Sequence, residues 1–132
     1  NNNGRGMLIT GTPDWRDYTV SATITFELIK SGGIAARVQG LQRYYSLELS
    51  SKNKIRLVKM LDGINILTEL DCRLEFQKNY NLCLKVEGYK LTGYLNEKII
   101  LQYNDENNPL NHGGIGFVVE SGTQSTNQIT VS

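Results

Sequence analysis

A chain of 132 residues can hold one domain with a proper core and is too short for two. Its 14 basic and 13 acidic residues nearly cancel and are scattered, which leaves no nucleic-acid footprint. No apolar run approaches the length of a membrane span, so neither nucleic acid nor membrane is expected as a partner. The chain reads as a single β-sandwich domain over residues 1–132, excised from a longer multidomain protein, because it opens on NNNGRG without a secretion signal. Residues 1–12 then serve as a linker or an edge segment.

In chain order, a short strand is expected over 7–10 and a loop over GTPDWRDY. The clearest strand follows at 18–29, where Val20, Ala22, Ile24 and Phe26 alternate with Thr19, Ser21, Thr23 and Thr25. Ser31-Gly32-Gly33 breaks it. Residues 34–39 form the next strand, 40–43 turn, and 44–50 return. A loop at 51–53 leads to a strand over 55–60. Asp62-Gly63 is a hairpin signal between alternating runs, and 64–70 form the partner. Residues 71–79 are irregular, with room for one helical turn. A tight meander follows over 80–103, with turns at Glu87-Gly88-Tyr89-Lys90 and Asn96-Glu97. It is too compact to contain a crossover helix, so its strands are antiparallel. Residues 104–111 make a polar loop, 115–120 a strand, and 128–132 the last one. Roughly ten or eleven short strands with turns at this spacing predict an all-β, two-sheet antiparallel sandwich. Ile24, Phe26, Leu47, Leu57, Leu82, Leu84, Leu95, Ile115 and Phe117 are its expected core.

The hairpin 34–50 supplies the candidate site. With Ile34, Ala36 and Val38 inward, Val38 opposes Tyr45, Ala36 opposes Leu47 and Ile34 opposes Leu49. That register sets Arg37 opposite Ser46 and Gln39 opposite Tyr44 on the outer face, and through the next turn it sets Glu48 opposite Arg56. Opposed side chains lie about 5 Å apart, so Arg37, Gln39, Tyr44, Ser46, Glu48 and Arg56 would form one exposed cluster. Guanidinium and carboxylate groups match sugar hydroxyls in pairs, and an aromatic face suits the C–H surface of a sugar. A ladder of exposed charge pairs that only solubilises the sheet is the alternative. Tyr94 and Glu120, on the outward sets of their strands, are further candidate contacts. Trp15 either plugs one end of the sandwich or offers a stacking platform.

Cys72 and Cys83 are expected as free thiols, and the chain has no Asn-x-Ser/Thr sequon. Both point to a cytoplasmic or bacterial setting. His112 is alone, so no zinc site has its ligands. The Asx-rich loop around Asp105 and Glu106 is read as turns, with a calcium ion held through oxygens as the alternative; no other cofactor is expected. There is no Gly-x-Ser-x-Gly elbow and no phosphate-binding Gly-rich loop. Glu48 has Ser46 and Ser50, not a second acid, at the alternating positions of its strand, so no paired acid and base assembles there.

The segments TPDWRDYTVSATI, GGIAARVQGLQRYYSLELS, KVEGYKLTGYLNEKIIL and GGIGFVVESGT occur in an order that resembles the concanavalin A-like lectin/glucanase superfamily, in its laminin-G-like and carbohydrate-binding-module branch. The resemblance runs from about Trp15 to Val131. It is similar in particular to the C-terminal domain of some bacterial ADP-ribosylglycohydrolase-family proteins. Two features depart from the pattern: Asn96-Glu97 stands where Asp-Gly is common, and Ser125-Thr126-Asn127 stands where a Phe-Asp pair is common. The second departure weakens a calcium site there. The resemblance implies a jelly roll that binds a glycan without catalysis beside an adjacent catalytic domain. A structural module that packs on its neighbour domain is the competing function.

Overall fold

The computed structural model describes the backbone of residues 5–10, 14–25, 31–75, 77–120 and 125–131, and the side chains of 14–25, 32–75 and 77–118. Eleven strands are present: β1 (Arg5–Thr10), β2 (Tyr18–Thr25), β3 (Ser31–Gly40), β4 (Arg43–Ser50), β5 (Lys54–Leu61), β6 (Ile64–Asp71), β7 (Asn79–Glu87), β8 (Lys90–Leu95), β9 (Lys98–Asn104), β10 (Gly114–Glu120) and β11 (Ser125–Val131). They form a six-stranded sheet in the order β1-β10-β3-β4-β5-β6 and a five-stranded sheet in the order β11-β2-β7-β8-β9. All neighbours are antiparallel. This is the expected two-sheet sandwich, and its strand order is that of a jelly roll. No helix occurs among the described residues, so the helical turn allowed at 71–79 does not form.

The core follows from period-two alternation. On the five-stranded sheet, Val20, Ala22 and Ile24 of β2 oppose Leu84, Leu82 and Tyr80 of β7. On the other sheet, Ile34, Ala36, Tyr45, Leu47, Leu49, Ile55, Leu57 and Ile115 face them, and all are buried in one cluster. Of the expected core, Ile24, Leu47, Leu57, Leu82, Leu84 and Ile115 are buried, while Leu95 and Phe117 pack partly buried against it. Phe26 lies outside the described residues.

Three local features differ from the sequence reading. Ser31-Gly32-Gly33 belongs to β3 instead of ending a strand. A Cβ on Gly33 would lie 1.9 Å from the Leu47 carbonyl oxygen, so the chain passes β4 at a distance only glycine permits. In β9, a bulge facing Gly93/Tyr94 turns Ile99 outward, opposite Tyr94, and packs Ile100 against the core. The Asn96-Glu97 turn has positive φ at both residues, 50° and 72°, the geometry that two-residue hairpins favour.

The third difference controls the candidate site. Between Ala36 and Gly40, β3 carries three residues where β4 has one, so two extra residues bulge from the ladder. The register therefore slips by two: Ile34 opposes Leu47 and Ala36 opposes Tyr45, not Leu49 and Leu47. An even slip preserves faces, which is why Ile34 and Ala36 remain inward as expected. The slip is absorbed at Arg37, whose φ of 51° is left-handed. Val38 then lands on the opposite face, beside Ala35, Tyr44, Met60 and Val118 in a second buried cluster.

Candidate functional site

The bulge carries Arg37 away from the sheet's outer face and into one end of the sandwich. The residue is 1% exposed, against the expectation of an exposed group. Its Nε donates to the Arg16 carbonyl (2.9 Å), Nη1 to the carbonyls of Gly88 (2.6 Å) and Leu110 (2.9 Å), and Nη2 to Asp17 Oδ1 (3.0 Å). Its backbone N–H donates to the Tyr18 hydroxyl (2.6 Å), which donates in turn to the carbonyls of Gly113 and Gly114. Gly113 sits at φ 145°, and a Cβ there would lie 2.4 Å from the Arg37 carbonyl carbon. Burial pulls the Arg37 guanidinium below its usual range and Asp17 opposes the shift. Arg37 thus ties together four loops: the one before β2, the β7–β8 turn, the β9–β10 connection and its own bulge. Trp15 joins this end, half-buried against the core and edge-on to Tyr18 at 5.8 Å.

A second buried cation fastens the same end, and the sequence reading missed it. Lys59 Nζ lies 2.7 Å from Asp105 Oδ2, with the side chains 7% and 5% exposed. It also donates to the carbonyls of Asn107 (2.6 Å) and Asn108 (2.8 Å). Tyr45 donates to Asp105 Oδ2 (2.6 Å) and accepts from the Leu110 N–H (2.9 Å). Burial and the Asp105 carboxylate raise the Tyr45 hydroxyl well above its ordinary value. The available signal was positional: Lys59 shares the inward set of β5 with Ile55 and Leu57, and an inward lysine demands a carboxylate. Asp105 is therefore engaged by a lysine, in place of the calcium considered for that loop. Among the described residues no group of three or more His, Cys, Asp or Glu could hold a metal ion.

The remaining candidates separate. Glu48 does oppose Arg56, as expected. However, Glu48 is only 2% exposed and accepts from Ser46 Oγ at 2.5 Å. Tyr44 is buried with Met60 and Val118, so it presents no open aromatic face. Gln39 donates from Nε2 to the His112 carbonyl (2.9 Å) and accepts from Arg43 Nε (3.1 Å), at the sandwich end and away from Glu48. Tyr94 lies half-buried on the outer face of the other sheet, opposite Cys83 and Ile99. Glu120 pairs with Ser31 and Arg5 in the ladder, and its side chain lies outside the described set. The expected six-residue cluster is thereby corrected to a shorter row across β4, β5 and β6: Glu48, Arg56 and Glu69 in register, with Ser50, Lys54 and Asp71 beside it. Arg56 Nε lies 3.4 Å from Glu69 Oε1, too far for a good hydrogen bond, and is a buried donor left without one. Lys54 pairs with Asp71 at 2.7 Å. Ile66, opposite Val58, adds an exposed apolar surface on the same face. Cys72 and Cys83 are both free thiols, as expected, and Cys83 Sγ lies 2.8 Å from Ser21 Oγ.

A jelly roll of two sheets with a polar row on one outer face is the architecture of lectin-like domains, and the sequence family agrees. The family of the galactocerebrosidase C-terminal lectin domain matches residues 2–128, and this chain belongs to that family. No curated protein sequence is similar enough to stand as a relative. Among solved structures, the chain is similar to the carbohydrate-binding module CBM66 from Bacillus subtilis, with a TM-score of 0.88 at 18% identity over 99% of this chain and 83% of that one. It is similar to the Caenorhabditis elegans galectin LEC-6 (TM-score 0.70, 9% identity, 100% and 98% covered) and to Xenopus laevis galectin-Ib (0.71, 11%, 97% and 99%). At these identities the likeness concerns the fold.

Proposed function

We propose that the chain is a non-catalytic, lectin-like carbohydrate-binding module appended to an enzyme. The observation that carries this reading is the match of nearly the whole chain to a lectin-domain family. CBM66 and the galectins support it as sugar-binding proteins on the same fold. The contact row is Arg56 with Glu69, backed by Glu48 and flanked by Ile66. Arg56 offers a planar fork of donors and Glu69 offers acceptors, while Ile66 covers a C–H face. The enzyme it serves is of the glycohydrolase kind: the family's namesake is a galactocerebrosidase, and the sequence also resembles domains of bacterial ADP-ribosylglycohydrolase-family proteins. Its contribution there is local concentration of the catalytic domain on a glycan. A glycan-array screen of the isolated domain tests the reading; saturable binding to a sugar supports it, and a blank array refutes it.

One observation favours a second reading, in which the domain packs on a neighbour. Five of the exposed large hydrophobics, Ile64, Ile66, Leu70, Ile99 and Tyr103, lie on the edge strands β6 and β9. Hydroxyl-radical labelling of these five residues, in the whole parent protein and in the isolated domain, separates the readings. Packing would shield them in the parent protein, whereas a module that only binds glycan would label equally in both.

A further inference from the structure

At the sandwich end, the β5–β6 turn and the β9–β10 connection enclose a pocket of about 380 Å³ lined by Arg43, Leu61, Asp62, Asn108 and Pro109. It lies apart from the Arg56–Glu69 row. Its volume falls in the range of small-molecule sites. Its polar groups differ from those of the two buried knots in being unused. Arg43 donates only through Nε, to Gln39, which leaves both Nη atoms without a partner among the described residues. The side chains of Asp62 and Asn108 likewise make no hydrogen bond among them. The wall is nevertheless held in place, because Lys59 Nζ binds the carbonyls of Asn107 and Asn108 from behind and Asp105 anchors that lysine. Fixed walls with unused polar groups lose little freedom on binding.

We infer that this pocket is a second sugar subsite, for one neutral hexose unit. The lining selects that class. A hydroxyl both donates and accepts, so neighbouring hydroxyls can take donors from Arg43 and give hydrogens to Asp62, while the Asn108 amide does either. Leu61 and Pro109 offer an apolar surface to the C–H face. An acidic sugar would gain from Arg43 and be opposed by Asp62, and an amino sugar the reverse. The inference rests on the chain being a sugar binder, and a site-resolved experiment separates the two claims.

Amide chemical shifts are followed while methyl glycosides of neutral hexoses are added to the ¹⁵N-labelled domain, to concentrations that saturate a site of about 1 mM affinity. Saturable shifts at Asp62, Gly63 and Asn108 are expected. Asp62→Gly and Asn108→Gly remove the ligand groups where φ is 54° and 51°, conformations glycine adopts freely, so both variants keep the fold. Each should weaken binding roughly tenfold, the loss of one hydrogen bond to a charged or amide group. Shifts confined to Arg56, Glu69 and their neighbours would overturn the subsite and leave the lectin reading standing. A response only to hexuronates or hexosamines would overturn the neutral class. Silence at both places with every sugar would overturn both claims.

Discussion

Arg37 and Arg56 look alike in the sequence: each sits at an outward position of an alternating strand, two strands from the other. In the fold they have opposite fates. Arg56 stays in a regular ladder, 20% exposed at its side chain, with a loose ion pair to Glu69. Arg37 occupies a left-handed bulge and spends its donors on three carbonyls and one carboxylate at the sandwich end. The difference teaches that alternation predicts a side chain's direction only where the ladder is unbroken. It also divides the basic residues by task, with Arg37 and Lys59 holding loops and Arg56 and Arg43 left to meet a ligand.

The sharpest way to break this division is Arg37→Ala. It should cost about 3–5 kcal/mol in urea denaturation, from carbonyls left without donors and from the cavity. A loss below about 1 kcal/mol would return Arg37 to the surface. Leu84→Ala, in the uninterrupted β2–β7 ladder, should cost about 2–5 kcal/mol by the same measurement; a small loss would show the core alternation to be misplaced. The buried tyrosines extend the contrast to pH. Burial raises the hydroxyls of Tyr18 and Tyr45, with the Asp105 contact adding to the rise at Tyr45. A raised folded value means the native state holds the proton longer. Their contribution is therefore complete below the unfolded value of about 10 and is lost as pH climbs past it. Stability should fall more steeply above that pH in the wild type than in Tyr45→Phe. The smallest effect is expected at the β8–β9 turn, where Glu97→Gly relieves a left-handed backbone and should add about 1 kcal/mol to stability. No gain would mean that the turn geometry differs.

Much of the fold was legible because its strands carry their own period. β2 and β7 alternate buried and half-buried without interruption, and the Asp62-Gly63 and Asn96-Glu97 turns fall where the strands end. The pairing of Glu48 with Arg56 was legible for the same reason. The cluster built on Arg37 was not, because two extra residues in β3 are invisible to a pattern that repeats every two. The Lys59–Asp105 pair joins positions far apart in the chain, and only the inward placement of Lys59 hinted at it. Gly33 read as a breaker because a close approach to Leu47 and a turn ask for the same residue.

The central claim is that Arg56 faces a glycan while the buried cations hold the scaffold. Calorimetric titration of the wild type and Arg56→Met, with the best glycan from the array, tests it most directly. Arg56→Met keeps the aliphatic stem and removes only a half-buried ion pair, so the unfolding free energy should move by less than about 1 kcal/mol. Affinity should fall roughly ten- to a hundredfold, the loss of charge-assisted hydrogen bonds worth about 1.5–3 kcal/mol. Unchanged affinity in a folded variant would contradict the account.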